Sequence, residues 1–200
     1  MSSKTSEVIK LENVRLSYPK LFTPKSFEEG QPKRFEAAFI LDPSNPDHAA
    51  KIKEIKIAAR NLMVEAFGEN FAPKDLRGVC FGDGDKKDKT PDGYAGMFYL
   101  NSANTTRPAV ANRRGEPVAE GDPQTPYGGC YVNATITLWA QNNRFGKRIN
   151  GNLRGVQFVK DGEAFGQAPA SAESEFDALE DNSPVASGKA SEDWDDDIPF

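Results

Sequence analysis

The chain has 200 residues, of which 38% are hydrophobic and 28% charged, and its formal net charge is −5 at pH 7. This length suits one ordinary domain with a sizeable core. No apolar run approaches the roughly 20 residues that span a bilayer, and the first residues lack the apolar segment of a signal peptide, so we expect a cytoplasmic protein that does not bind membranes. The two cysteines, Cys80 and Cys130, fit neither a disulfide framework nor a zinc site, which predicts buried thiols.

Charge is distributed unevenly along the chain. Residues 173–200 carry ten acidic side chains and one lysine, a net charge of −9, whereas residues 1–172 carry 24 basic and 20 acidic side chains, a net charge of +4. A slightly basic body joined to a strongly acidic tail indicates contact with nucleic acid or docking to a partner.

The first predicted element is a strand over residues 8–18. Its apolar alternation changes face at Asn13, as it does at a β-bulge, and Pro19 is expected to end it. A second strand with period-two alternation is predicted over residues 34–41.

The one long helix follows. Asn45 provides an N-cap and Pro46 a first-turn proline, apolar residues then recur at helical spacing, and Gly68 ends the segment. Short strands are predicted around residues 78–82 and 94–101, separated by a loop too polar and glycine-rich to be buried.

The clearest strand covers residues 131–140. Alternate residues are apolar on one face, and the other face is polar with Tyr131 and Trp139 at its edges. A turn at residues 142–146 and a returning strand at residues 153–160 predict a hairpin. About five strands and one helix predict a mainly β fold, an OB-fold-like Greek-key antiparallel barrel.

The domain organisation predicted is a barrel over residues 1–162 and a disordered acidic tail over residues 163–200. Beyond residue 162 the periodicity ends, and Ala, Ser, Gly, Pro and acidic residues dominate. Such a segment buries too little apolar area to offset the entropy of ordering it.

Two stretches of the body, residues 93–115 and 123–160, contain cations and aromatic rings but no acidic residue. Cations follow a phosphate backbone and flat rings stack on unpaired bases, so these stretches predict binding of single strands without base preference. The predicted DNA-binding residues are Arg107, Arg113, Arg114, Tyr131, Trp139, Arg144, Phe145, Lys147, Arg148 and Arg154.

Catalytic residues, cofactors and a resident metal are not predicted. His48 has no nucleophile partner in the sequence and is expected on the surface. Four aspartates, Asp83, Asp85, Asp88 and Asp92, alternate with lysines and miss the spacing of a calcium loop, which favours a solvated loop. A metal-dependent nuclease is the weakest alternative that we consider.

The chain ends in three carboxylates followed by an apolar terminus, namely Asp195, Asp196, Asp197, Ile198, Pro199 and Phe200. This ending resembles the C-terminal peptide of bacterial single-stranded-DNA-binding proteins. The layout of residues 8–160, with Val14-Arg15-Leu16-Ser17-Tyr18-Pro19 and the hairpin around Trp139, resembles phage-encoded single-stranded-DNA-binding proteins. The resemblance implies an OB-fold that coats single-stranded DNA in replication or recombination.

The same resemblance implies that the last six residues dock into replication or recombination proteins of the polymerase, primase, helicase or recombinase class, with the terminal ring in a pocket of the partner. It places the protein in the cytoplasm of a bacterial host. Apart from the resemblance, we expect a homo-oligomer, with a dimer as the first expectation. The alternative is an interaction protein, a decoy that occupies such pockets in the host without binding DNA.

Overall fold

The structure, a computed structural model, describes residues 4–26, 30–87 and 90–165. Within these residues the strands are β1 (Ile9–Lys25), β2 (Arg34–Leu41), β3 (Gly78–Val79), β4 (Phe81–Asp83), β5 (Phe98–Asn104), β6 (Ala109–Ala111), β7 (Tyr131–Asn143) and β8 (Gly146–Lys160), and the helix is α1 (Pro46–Phe67). Two 3₁₀ turns, Pro73–Asp75 and Gly84–Lys86, complete the elements of the described residues. The tail beyond residue 165 lies outside them.

Five strands close into a barrel. β1 pairs antiparallel with β2 and β7, β2 with β5, and β7 with β8. The barrel closes where β5 meets β8 in parallel, with Ala103 opposite Asn152. Gly151 permits this approach, because a Cβ there would lie 2.5 Å from the carbonyl oxygen of Asn101. The result is the mainly β, OB-fold-like architecture predicted from the sequence.

The short strands extend the barrel at its edges. β3 and β6 each pair in parallel with β8, at different points along its length, and β4 pairs antiparallel with β5. The sequence did not predict β6, because three residues are too short to show an alternating pattern.

β1 contains two irregularities. Asn13 has a φ of 51°, and the register with β7 shifts there as predicted. The N–H of Asn13, which the bulge removes from the ladder, donates to Oδ1 of Asn133 at 3.0 Å. The prediction that Pro19 ends the strand is wrong: β1 continues to Lys25, because Pro19 lies in a second register shift, where no ladder N–H is needed.

α1 begins and ends where the sequence predicts. The side chain of Asn45 accepts hydrogen bonds from the N–H groups of Asp47 and His48, and Gly68, with a φ of 93°, follows the last turn. The apolar face of the helix packs on the barrel core through Ile52, Ile55, Leu62 and Met63.

The β7–β8 hairpin is longer and tighter than predicted. Both strands run up to a two-residue turn, Arg144 and Phe145, with Asn143 paired to Gly146. β5 begins at Phe98 rather than at residue 94, because Tyr94 and Met97 are joined by a turn hydrogen bond of 3.1 Å.

The segment that follows β8 stays in contact with the barrel as far as Phe165. A guanidinium nitrogen of Arg15 donates to the carbonyl of Glu163 at 2.6 Å, and the N–H of Phe165 donates to the carbonyl of Gly128 at 3.1 Å. These contacts extend three residues beyond the boundary expected at residue 162.

Candidate nucleic-acid interface

A groove of about 420 Å³ crosses the outer face of β2, β5, β8 and β7. The pairing registers align its walls: Ala38 lies opposite Asn101, and Trp139 lies opposite Asn150. Because opposite residues in antiparallel strands point to the same face, the outward side chains of all four strands line one surface. The residues that bear on binding are Tyr18, Arg34, Asn101, Trp139, Arg148 and Asn150.

Two aromatic rings flank the groove. Trp139, predicted from the sequence, is half-buried on β7 and forms a bridge with Thr5, which fixes its backbone on the side away from β8. Tyr18, which the sequence did not predict, is 61% exposed, because the irregularity in β1 gives it a φ of 47°. A ring this exposed can be covered by an unpaired base.

The groove has a positive electrostatic character. Arg34 and Arg148 are both exposed and neither forms an ion pair within the described residues. The acidic residue in the groove wall, Glu36, is neutralised by Lys20, with Nζ 2.7 Å from Oε2. Arg34 could not be recognised from the sequence, because the stretch around it also contains acidic residues.

The hairpin tip lies beyond Arg148 on the same two strands. Phe145 is 61% exposed, and the guanidinium carbon of Arg144 lies 4.7 Å from the centre of its ring. Arg77, a cation that the sequence analysis missed, lies against Gly146 and donates its backbone N–H to the carbonyl of Lys147 at 2.9 Å. The tip therefore presents one exposed ring with the guanidinium of Arg144 beside it, and the side chain of Arg77 lies next to its turn.

Lys147 does not join the cations of the tip. Its Nζ lies 4.4 Å from the ring centre of Phe71 and 5.3 Å from that of Phe67. Because side chains alternate along a strand, Lys147 faces the end of α1 while Arg148 faces the groove. Arg144, Lys147 and Arg148 are all among the DNA-binding residues predicted from the sequence, and the structure separates Lys147 from the other two.

Tyr131, predicted together with Trp139, lies at the other end of β7. Trp139 lies eight positions after Tyr131 along β7, a distance of about 26 Å in an extended strand. Tyr131 is flanked by Lys160, whose Nζ lies 4.5 Å from its ring centre, and by Arg15 at 5.8 Å.

The remaining predicted cations are dispersed around the barrel. Arg154 is exposed at the register shift of β8, and Arg107 lies over the ring of Phe22 at 5.2 Å. Arg113 and Arg114 follow β6, where Gln157 donates to the carbonyl of Arg113 at 3.4 Å. The structure thus brings Trp139, Arg148 and the hairpin tip towards one face and leaves these four cations apart from the groove.

Metal and acid–base chemistry find little support in the described residues. No group of three or more potential metal-binding side chains occurs among them. Asp83 and Asp85 instead accept backbone N–H groups, the latter from Gly96 at 2.8 Å, and Asp88 lies outside the described residues. The expectation of a surface His48 is wrong: it is 8% exposed and accepts from the N–H of Asp42 at 3.1 Å, a bond that orients the first turn of α1.

Both cysteines are in apolar surroundings. Burial raises the pKa of the Cys80 thiol to about 12 and that of Cys130 to about 11. Cys130 is fully buried and Cys80 lies partly exposed in the wall of the groove, so neither thiol is ionised at neutral pH.

The predictions about binding partners concern the last six residues and membranes. The six terminal residues predicted to dock into other proteins, 195–200, lie outside the described residues. Among the helices of the described part, none is both long enough and apolar enough to cross a membrane.

Comparison with known proteins identifies relatives over most of the chain. The family described as "Enterobacter phage Enc34, ssDNA-binding protein" matches residues 7–186. Protein p50 of Acyrthosiphon pisum secondary endosymbiont phage 1 is 38% identical over 178 residues, covering 86% of this chain and 93% of p50.

Solved structures agree with this match. The single-stranded DNA-binding protein from bacteriophage Enc34, in complex with ssDNA, is 31% identical with a TM-score of 0.70, covering 80% of this chain and 89% of that one. A further structure of the same phage protein is 28% identical with a TM-score of 0.66, covering 85% and 90%. The resemblance to phage-encoded proteins of this class is therefore confirmed, and the chain belongs to the Enterobacter phage Enc34 ssDNA-binding protein family.

Proposed function

We propose that this protein binds single-stranded DNA along the groove on β2, β5, β8 and β7, and that it has no enzymatic activity. The observation that carries the proposal is the combination in one groove of two accessible rings, Tyr18 and Trp139, with two guanidinium groups, Arg34 and Arg148, that form no ion pair with any residue the structure describes. Rings stack on any base and guanidinium groups contact phosphates, so this combination suits binding without sequence preference. The family relative solved with ssDNA supports the same ligand.

The hairpin tip and the dispersed cations extend this proposal. Arg144 and Phe145 continue the groove beyond Arg148, as the loop between the last two strands does in OB-folds that bind oligonucleotides. Tyr131, Arg107, Arg113, Arg114, Arg154 and, more weakly, Lys147 stay proposed contacts for a strand that runs beyond the groove. A second depression of about 410 Å³, lined by Lys10, Asn133, Thr135 and Gln157, lies on the outer face of β1, β7 and β8 and offers polar groups to such a strand.

The test is a titration of labelled oligo-dT and of the matching duplex at two salt concentrations. Single strands should bind more tightly, and log Kd should rise with log salt by about 0.7 for each phosphate neutralised. Equal affinity for the duplex, or an affinity that does not respond to salt, would refute the proposal. Absence of any DNA binding would favour the interaction or decoy protein, and magnesium-dependent cleavage would favour the nuclease.

We further propose that the protein acts in phage replication or recombination in the host cytoplasm and recruits partner proteins through its acidic tail. The support is the order of chemistry at its end, where Asp195, Asp196 and Asp197 precede Ile198, Pro199 and Phe200. Basic residues at the rim of a partner pocket can receive the carboxylates while the ring fills the pocket.

The variant Phe200→Ala tests this role, because it leaves the charge of the tail unchanged. DNA affinity should stay within error, while binding to a host protein that captures such tails should weaken by about 2 kcal/mol or more. Full retention of partner binding would contradict the docking role. A dimer stays the prediction for the oligomeric state, and sedimentation equilibrium measures it.

A further inference from the structure

We propose that a second cavity lined by Tyr18, separate from the groove, is a pocket for one nucleobase with a preference for guanine. The inference rests on the proposed binding of single-stranded DNA and deepens it. The cavity has a volume of about 300 Å³ and is lined by Ser17, Tyr18, Pro19, Asp92, Gly128 and Phe165. It thus offers two aromatic rings and a carboxylate in a space suited to a single base.

Tyr18 connects this pocket to the groove, since its side chain lines both. It is a non-glycine residue with a φ of 47°, at a register shift next to Pro19. Such a backbone conformation is uncommon outside glycine, and bulges of this kind re-aim side chains beside binding sites. A strand with one base against Tyr18 in the groove can therefore place a neighbouring base in the second cavity.

Phe165 provides a second aromatic wall of the pocket. The guanidinium carbon of Arg15 lies 4.3 Å from the centre of the Phe165 ring, and the backbone N–H of Phe165 donates to the carbonyl of Gly128. Gly93 makes room for the ring, because a Cβ at that position would overlap with it. Arg15 is itself held by the carbonyls of Gly129 and Glu163, so the ring rests on a fixed support.

Asp92 is the group that can distinguish bases. Within the described residues its carboxylate forms neither a hydrogen bond nor an ion pair, and it is exposed at the pocket. The Watson–Crick edge of guanine carries two adjacent donors, N1–H and the N2 amino group, which match the two oxygens of one carboxylate. Thymine offers a single N3–H donor flanked by two carbonyl oxygens, and these oxygens repel a carboxylate. Bases splayed from a single strand are read in this way, by stacking and by edge contacts.

The experiment compares labelled dT12 with the same oligonucleotide carrying one central dG, using the full chain. Because the other contacts do not depend on base sequence, the strand can shift until the dG occupies the pocket. Affinity for the dG oligonucleotide should then exceed that for dT12 on the order of tenfold, the effect of a charge-assisted hydrogen-bonded pair that is partly exposed to water. Asp92→Asn should remove most of this ratio. Phe165→Leu should reduce affinity for both oligonucleotides by severalfold, because the stacking wall is lost.

Asp47→Asn is the matched control. Asp47 is exposed in the first turn of α1, and its replacement changes the net charge by the same amount as Asp92→Asn. The control should keep the dG-to-dT ratio of the original chain. A ratio near one in the original chain, or an equal ratio in Asp92→Asn, would overturn the pocket while leaving DNA binding intact. Failure of the original chain to bind either oligonucleotide would instead overturn the proposed function.

Discussion

Replacing Arg148 and, separately, Lys147 by alanine tests which face of β8 contacts DNA. The two residues are neighbours in the chain, but Arg148 lines the groove and Lys147 packs against Phe67 and Phe71. Each variant loses one positive charge, so the formal net charge changes from −5 to −6 in both. Long-range attraction to DNA therefore changes equally, and any difference between the variants reports local contact.

The magnitudes follow from these surroundings. If Arg148 neutralises one phosphate, its loss should make the log–log salt slope shallower by about 0.7 and weaken binding to all sequences alike. Lys147 holds its ammonium 4.4 Å from the ring centre of Phe71, and losing this contact should cost about 0.5–1 kcal/mol of folding stability. If the loss of folding stability is near the upper end of that range, the melting temperature of Lys147→Ala should fall by roughly 2–4 °C, as expected for a domain of this size.

The assay pairs fluorescence anisotropy of labelled oligo-dT at four salt concentrations with thermal unfolding of each variant. Arg148→Ala should make the salt slope shallower and keep the melting temperature. Lys147→Ala should lower the melting temperature and change the salt slope much less than Arg148→Ala does. If Lys147→Ala lowers the slope as much as Arg148→Ala, the two faces are assigned wrongly. If neither variant alters the slope, the groove does not follow the phosphate backbone.

Three further predictions address the groove, the barrel and the thiols. In a Trp194→Phe background, which leaves Trp139 as the one tryptophan, oligo-dT should quench the fluorescence, and Trp139→Ala should cost about 1–3 kcal/mol of DNA binding. An absence of quenching, or an unchanged affinity of Trp139→Ala, would rule out stacking on this ring. Gly151→Ala should destabilise the fold by about 1–3 kcal/mol in urea unfolding, because the added methyl meets the carbonyl of Asn101, and an unchanged midpoint would contradict the close β5–β8 contact. In the folded protein the pKa values of the Cys80 and Cys130 thiols are raised from the ordinary 9.0 to about 12 and about 11, so their contribution to stability is complete below pH 9 and lost as pH rises towards the folded values. Iodoacetamide should label these thiols only in the unfolded chain, and rapid labelling of the native protein would contradict this prediction.

Several features of this protein were readable from local sequence. Asn45, Pro46 and Gly68 define the ends of α1 through caps that involve residues only a few positions away. The alternation of β7 and the bulge at Asn13 are also local, since period-two burial appears directly in the order of residues. β2 is instead buried on both faces from Ala37 onwards. The acid-free aromatic stretches indicated nucleic acid for the same reason, because composition needs no knowledge of pairing.

The groove itself depends on tertiary structure. Tyr18 and Trp139 are separated by most of the body, yet strand pairing places them on one surface, and Arg34 becomes part of it through the register of β1 and β2. Whether a cation faces the groove depends on which face of the strand its side chain takes in the alternation and on what covers the other face. This is why Arg148 lines the groove while its neighbour Lys147 packs against the end of α1. The acidic end of the chain is visible in the sequence alone, whereas the binding surface exists only after strands distant in sequence have paired, because register is set by the whole barrel.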